Sequence, residues 1–203
     1  MAKPKTEFKL YLPDGSFQIK PIGDLQAHVR AGDASLCGGP GPISKVIVLF
    51  TRKYIPTGEW CPSHVEIAYE NLPGVGWVNF SAESRGYIPR PLLRHAAKGH
   101  DVQIWRKSGL STQKKARIKR ETLALATRDK GYGLNEAVRI GLPFLPTTRN
   151  LTHMCSEAFC RVYRRANMDL FPGQDLEKVP PSMVLAKIMQ LAEREEWYLV
   201  AEF

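Results

Sequence analysis

The sequence predicts an α+β fold in which a small, mainly antiparallel sheet packs against helices. Three observations predict this class. Short strand-like segments fill the first half of the chain, helical segments follow in the second half, and a final apolar segment returns to strand. The length of 203 residues fits one domain.

Five segments are predicted as strands. Residues 43–51 ("ISKVIVLFT") are apolar and rich in β-branched residues, which indicates a buried strand. Apolar residues alternate with polar ones in residues 63–70 and again in residues 77–84, on either side of the turn "NLPGVG". Residues 101–106 are a further candidate, and "WYLVAEF" closes the chain as a strand.

Two of the helices are predicted from their caps and breakers. The segment 111–130 can begin at a Ser111 or Thr112 cap and end at Gly131. The segment 180–196 begins after its prolines.

The helix in "LTHMCSEAFCRVYRRANMDL" (151–170) starts at a cysteine. A Thr152 N-cap places Cys155 in the first turn, where the helix carries roughly half a positive charge that favours a thiolate. The free N–H groups of that turn, with Ser156 beside the cysteine, could bind an oxyanion. The alternative interpretation is a small buried cysteine. Apolar residues recur at every fourth position and are predicted to form one buried stripe of this helix: Met154, Ala158, Val162 and Ala166.

A general base for this thiol is best sought at His64, which lies on a predicted strand and shares a strand face with Glu66. The next strand presents Asn79, Ser81 and Glu83 on one face. One of these could orient the far nitrogen of the imidazole. A half-buried sheet histidine is the alternative interpretation.

The net charge of +9, from 29 Lys and Arg against 20 Asp and Glu, favours an anionic partner such as nucleic acid, acidic lipid or a bacterial envelope. The strongest basic cluster, residues 106–130, is interpreted first as a solvated helix face, and the basic surface as a contact for an anionic polymer. No apolar segment of membrane-spanning length and no secretory signal is found. We therefore expect a cytoplasmic or phage-virion protein, with its oligomeric state left open.

No metal and no cofactor is predicted. Cys61 with His64, and His153 with two cysteines, offer ligand types for zinc, but their spacing is poor. No phosphate-binding glycine loop occurs. We interpret the four cysteines as free thiols in a reducing compartment: Cys37, Cys61, Cys155 and Cys160.

The ordered segments "ISKVIVLFTRKYIPTGEWCPSHVEIAYE", "FSAESRGYIPRPLL", "MCSEAFCRVYRRA" and "VPPSMVLA" resemble successive blocks of the permuted NlpC-like, papain-fold cysteine hydrolases. The resemblance implies a papain-like, circularly permuted NlpC-type fold. It assigns residues 31–203 to a catalytic domain and residues 1–30 to an N-terminal extension of that domain.

The resemblance also implies roles for single residues. Cys155 matches the nucleophile and His64 the base. Ser81 stands where the family often has glutamate, so Glu83, two residues further along the strand, is kept as a substitute. Tyr132 matches an aromatic residue near the site, and a packed tyrosine is an equal alternative.

The expected function is a cysteine amidase or peptidase that works through an acyl-enzyme, with cell-wall peptides, other amides, thioesters or lipid acyl groups as substrate classes. The alternative is a non-catalytic structural or binding module, for example a phage virion component. This alternative is motivated by the serine at position 81, where an acidic residue would be needed to stabilise an imidazolium.

Overall fold

The computed structural model describes residues 2–83, 86–128 and 154–203, and its framework is an eight-stranded antiparallel sheet with the strand order β2-β1-β8-β7-β3-β4-β5-β6. The strands are β1 Glu7–Tyr11, β2 Phe17–Pro21, β3 Ala34–Gly38, β4 His64–Leu72, β5 Gly76–Glu83, β6 Gly86–Pro91, β7 Asp101–Lys107 and β8 Trp197–Glu202.

Five α-helices accompany this sheet in the described ranges: α1 Pro42–Thr51, α2 Arg94–Ala97, α3 Thr112–Ala126, α4 Cys155–Arg165 and α5 Pro181–Ala192. Three 3-10 turns lie at Ile22–Ala27, Arg52–Tyr54 and Leu176–Lys178. None of the helices in these ranges combines the length and the apolar character needed to cross a bilayer.

The alternation of strand β4 separates two hydrophobic cores. Val65 and Ile67 belong to the larger core, which also contains Ala158 and Phe159 of α4. Ala68 belongs to the smaller core, together with residues of β1, β7 and β8. Because neighbouring side chains of a strand point to opposite faces, His64 and Glu66 share the face of Ala68.

Helix α4 is held against the sheet through its buried stripe. Met154, Ala158, Val162 and Ala166 are all buried, as their four-residue spacing predicts. Tyr163 adds a hydrogen bond from its hydroxyl to the backbone carbonyl of Gly32, just before β3. This packing fixes the start of α4 beside the start of β4.

The fold differs from the one expected. An eight-stranded, strand-rich mixed α+β structure replaces the small sheet, and a papain-like fold is not confirmed. The physical reason is that β1, in the segment treated as an extension, pairs with β8, and β2 pairs with β1, so that both strands enlarge the sheet. Pairing between distant strands depends on register and on packing, which a local pattern does not contain.

The segment 43–51 is also corrected, from a strand to helix α1. Pro42 occupies the start of this helix, where its missing N–H leaves no helical hydrogen bond unmade. Ile47 and Thr51, four residues apart, are buried on its inner side. A short apolar segment does not distinguish helix from strand by periodicity, and the flanking proline decides here.

The other predicted elements appear close to their expected bounds. The two alternating segments form β4 and β5, and the closing segment forms β8. Ser111 caps α3 by accepting a hydrogen bond from the backbone N–H of Lys114 at 3.2 Å. Thr152 and Gly131, the other predicted cap and breaker, lie outside the described residues, and both predictions are wrong because Met154 is the N-cap of α4 and α3 already ends at Ala126.

Candidate active site

Cys155 is the first residue of helix α4, and Met154 is its N-cap. Glu157 reaches back and accepts a hydrogen bond from the N–H of Met154 at 3.4 Å, which secures the first turn. Cys155 is only 3% exposed. The thiol therefore lies where the helix dipole and the free N–H groups of the first turn favour negative charge.

His64 is the first residue of β4 and pairs with Cys37 of β3. Its imidazole lies close enough to the thiol of Cys155 for the two groups to shift each other's pKa. The backbone N–H groups of Val65 and Ser156 also act on the thiol, and both lower its pKa. The structure thus brings together two residues that lie 91 positions apart in the sequence, since 155 − 64 = 91.

The two groups shift each other's protonation in opposite directions. Burial raises the pKa of the Cys155 thiol, but the charge and hydrogen bond of His64, with the two backbone N–H groups, lower it below its ordinary value. Burial lowers the pKa of His64, but the thiolate of Cys155 and the carboxylate of Glu66 raise it above its ordinary value. Each change favours a thiolate–imidazolium pair.

The second ring nitrogen of His64 meets two partners. Nε2 lies 2.7 Å from the hydroxyl oxygen of Ser81 and 3.4 Å from Oε1 of Glu66. Nδ1 is therefore the nitrogen left for the thiol. Ser81 also accepts a hydrogen bond from Nη2 of Arg94 at 3.2 Å, which fixes its oxygen beside the ring.

Glu66 is the charged centre of the network and has a fully buried side chain. Its carboxylate accepts hydrogen bonds from Arg94 Nη2 at 2.6 Å and from Asn79 Nδ2 at 3.2 Å, and its Oε1 lies 3.2 Å from His95 Nε2. Burial raises its pKa, but the charge of His95 and hydrogen bonds from His64 and His95 hold it well below the usual value. Glu66 is therefore a permanent negative charge beside His64.

Sequence reasoning placed Glu66 on the His64 face but did not assign it to the site, and it missed Arg94. The i, i+2 spacing of His64 and Glu66 on one strand was the available signal for Glu66. Arg94 is contributed by the short helix α2, and the sequence carries no signal that it reaches the site.

Glu83 is engaged elsewhere. Its carboxylate accepts hydrogen bonds from Arg90 Nη2 at 2.7 Å and Arg94 Nη1 at 2.5 Å. Burial raises its pKa, but hydrogen bonds from Arg90 and Arg94 lower it to about 2. In the described residues, Ser81 rather than Glu83 meets the imidazole, and Glu83 acts on the site only through Arg94.

Two further site residues were predicted, Ser156 and Tyr132. Ser156 is fully buried as the second residue of α4, and its hydroxyl has no partner within the described ranges. Its contribution to the thiol is its backbone N–H. Tyr132 lies outside the described residues.

A cleft of about 790 Å³ opens beside His64. Ile43, Ser44 and Ile47 of α1 form one side, and Ser81 and Glu83 belong to another. Basic and imidazole side chains complete it: Arg90, Arg94, Lys98, His95 and His100. Cys155 is not part of the described cleft wall, so His64 is the member of the pair that meets the cleft.

The remaining cysteines are buried free thiols with a different electrostatic character. Burial raises the pKa of Cys37, Cys61 and Cys160 above the ordinary value. Cys155 is thus distinguished from all three by its lowered pKa.

Cys37, Glu66 and His95 form a buried cluster that shares the Glu66 carboxylate with His64. Their candidate ligand atoms all lie within 4.8 Å of one another. The sulfur of Cys37 is 3.7 Å from His95 Nε2, and that nitrogen is 3.2 Å from Glu66 Oε1.

Neither a protein-family model nor a curated protein matches this sequence. Among solved structures, a similar fold occurs in the metalloprotein YiiX from Escherichia coli O157:H7. The TM-score is 0.52 and the sequence identity 19%, and the match covers 85% of this chain and 89% of that one. At this identity the likeness concerns the fold alone.

These findings overturn the predicted assignment to the permuted NlpC-like cysteine hydrolases. The resemblance depended on the order of short blocks, yet no family model matches the chain, and the similar solved structure is described as a metalloprotein. Any function must therefore be argued from the residues of the site.

Proposed function

We propose that the protein is a cysteine hydrolase in which Cys155 is the nucleophile and His64 the general base and acid. The observation that carries the proposal is the close approach of the Cys155 thiol, at the start of α4, to the His64 imidazole, which lets each group shift the pKa of the other. A thiolate is the reactive form of cysteine, and the lowered pKa of Cys155 favours that form.

In the acylation step, the thiolate sulfur would attack the carbonyl carbon of an amide. The carbonyl electrons move to its oxygen, which the N–H groups at the start of α4 can stabilise. Collapse of this intermediate breaks the bond to nitrogen, and the His64 imidazolium gives its proton to the departing amine. Cys155 is then a thioester and His64 is neutral.

In the deacylation step, neutral His64 would take a proton from water as the water oxygen attacks the thioester carbonyl. The carbon–sulfur bond then breaks, the acid product leaves, and the thiolate–imidazolium pair is restored. One histidine therefore serves as acid and then as base.

Glu66 supports the proposal because it provides the negative charge that Ser81 lacks. Its Oε1 lies 3.4 Å from His64 Nε2, where it stabilises the imidazolium. The hydroxyl of Ser81, at 2.7 Å from the same nitrogen, fixes the ring orientation. We propose Glu66 and Ser81 as the residues that position His64, and Glu83 as a support of Arg94.

The proposed substrates are peptides, other amides or acyl esters, with peptidoglycan peptides among them, and the basic surface is proposed to meet an anionic polymer. We propose a cytoplasmic or virion setting for this activity. The competing function is a non-catalytic module with a buried thiol. The 3% exposure of Cys155 and its absence from the described cleft wall favour that alternative.

Metal binding is a second candidate, because YiiX is described as a metalloprotein and the Cys37–Glu66–His95 distances are near those of ligands around one zinc ion. The charges do not fit. Arg94 Nη2 lies 2.6 Å from the Glu66 oxygen that a cation would need.

The decisive experiment is to trap an acyl-enzyme. The folded protein is mixed with an activated aryl ester, and the acylated cysteine is identified by peptide mapping, with release of the phenol followed in parallel. Acylation at Cys155 that disappears in Cys155→Ser and persists in Cys160→Ser supports the proposal. Cys160 is a matched control because it is a buried cysteine of the same helix. No acylation of Cys155 in folded protein would establish the non-catalytic module.

A further inference from the structure

The outward face of α1 is apolar. Ile43 is 51% exposed, Val46 42%, Leu49 74% and Phe50 41%. At the helical spacing of about 100° per residue these four side chains lie side by side in one continuous stripe. We call this stripe the α1 outer face.

The inner side of the same helix is also apolar and is already used. Ile47 and Thr51 are buried, and Val48 packs against the larger core. A surface helix ordinarily turns charged residues to solvent and apolar residues to the core. Helix α1 has apolar residues on both sides, so core packing does not account for its outer face. A contiguous exposed apolar patch of this kind marks an interaction surface.

Cations flank the α1 outer face. Lys45 is exposed beside the stripe, and Arg52 and Lys53 are exposed just after the helix ends. No Asp or Glu occurs from residue 34 to residue 58. An apolar stripe with these three cations beside it complements a surface that has acyl chains below a layer of anionic groups.

We propose that the α1 outer face docks the protein on an anionic phospholipid bilayer. The four apolar side chains enter the boundary between headgroups and acyl chains, and Lys45, Arg52 and Lys53 meet the phosphate groups. A bilayer fits better than a protein groove, because the stripe lies on one exposed helix and every charged residue of the segment 34–58 is a cation. Docking stands independently of the proposed hydrolase activity.

The position of α1 gives this docking a consequence for the cleft. Ile43 belongs to the outer face and also lines the cleft beside His64, together with Ser44 and Ile47. A protein docked through α1 therefore presents the mouth of the cleft at the lipid surface.

The test is co-sedimentation with vesicles of phosphatidylcholine alone and of phosphatidylcholine with phosphatidylglycerol. We expect binding to the phosphatidylglycerol vesicles, weaker binding to the neutral ones, and a decline with added salt. Leu49→Glu should weaken binding by about tenfold or more, because it removes apolar contact and adds a repelled charge.

Leu123→Glu is the matched control. Leu123 is 44% exposed on a different helix, α3, and the change has the same chemistry. This variant should bind vesicles as the unaltered protein does. Equal loss in both variants, or no loss in Leu49→Glu, overturns the proposal. Cys155→Ser should bind normally, so that a failure of hydrolysis and a failure of docking are told apart.

Size-exclusion chromatography of the same variants tests the competing occupant, a second copy of the chain. If Leu49→Glu converts a dimer to a monomer and leaves vesicle binding unchanged, the α1 outer face is a self-association surface and the lipid proposal is wrong. A variant that changes vesicle binding alone supports it.

Discussion

Oε1 of Glu66 lies 3.4 Å from Nε2 of His64, on the same face of one strand and two residues along it. This carboxylate is fully buried and is held ionised by Arg94 and by two imidazoles. The strand that carries the proposed base therefore also carries the charge that would stabilise its protonated form. The neighbouring strand contributes a neutral hydroxyl, that of Ser81.

The first prediction concerns the pH dependence of cysteine alkylation. Because the pKa of Cys155 is lowered, the alkylation rate of this residue should be half of its plateau value at a lower pH than for a free thiol, whose pKa is about 8.5. As pH falls through that lowered pKa, the thiolate is protonated and the rate declines. The measurement is the iodoacetamide rate at Cys155 across pH, followed by peptide mapping.

His64→Ala should move this inflection upward, because the imidazolium that stabilises the thiolate is gone. His100→Ala is the control, since His100 lines the cleft but is not among the groups that shift Cys155. An identical profile for His64→Ala and the unaltered protein would remove His64 from the mechanism.

The second prediction separates the three acidic and hydroxyl candidates. Glu66→Gln should move the inflection of the Cys155 alkylation profile to higher pH, because the imidazolium loses a buried counter-charge. It should also lower the acylation rate by roughly tenfold to a hundredfold. Ser81→Ala should cost less, since it removes orientation without charge. Glu83→Gln should cost almost nothing in acylation, because its carboxylate is bound to Arg90 and Arg94.

Thermal melting of the three variants provides the necessary check on folding. Glu66→Gln leaves Arg94 and His95 without their shared carboxylate, so some loss of stability is expected. The pH of the inflection is measured on folded protein, so it reports the electrostatics of the site and not the loss of stability. If Glu83→Gln moves the inflection and Glu66→Gln does not, the assignment of Glu66 is wrong.

The third prediction concerns stability in acid. The pKa of Glu83 is lowered from 4.5 to about 2 in the folded protein, so its ionised form stabilises the fold. The sign follows from linkage: this contribution is complete above about pH 4.5 and is lost as the pH falls towards 2. Glu83→Gln should therefore lower the free energy of unfolding near neutral pH and much less in strong acid.

Urea unfolding of the unaltered protein and Glu83→Gln at neutral pH and at about pH 3 measures this difference. Glu59→Gln is a surface control, since Glu59 is exposed and is not among the groups that shift the pKa of Glu83. A difference between Glu83→Gln and the unaltered protein that stays constant across pH would contradict the predicted role of the Glu83 charge.

The fourth prediction concerns metals. Because Arg94 Nη2 is 2.6 Å from Glu66 Oε1, the purified protein should contain no stoichiometric zinc at Cys37, Glu66 and His95. Elemental analysis by mass spectrometry measures it, and a chelator should leave the thermal midpoint unchanged. Zinc bound at one ion per chain and lost in Cys37→Ser would show that Arg94 gives way to a metal.

The sequence by itself placed Cys155 at a helix start and His64 on a strand, because helix caps, four-residue stripes and alternation are local patterns. The same local patterns placed β5, α3, α5 and β8. They were insufficient for residues 43–51, where a short apolar segment suits either helix or strand and a proline decides.

Only the tertiary structure decided which polar side chains meet His64. Ser81 and Glu83 share a strand face, and the fold gives Ser81 to the imidazole and Glu83 to two arginines. It also brings Arg94 of α2 onto Glu66, 28 residues away in sequence. The physical reason is that strand register and the packing of distant elements set these distances, and both follow from the burial of the whole chain rather than from any single segment.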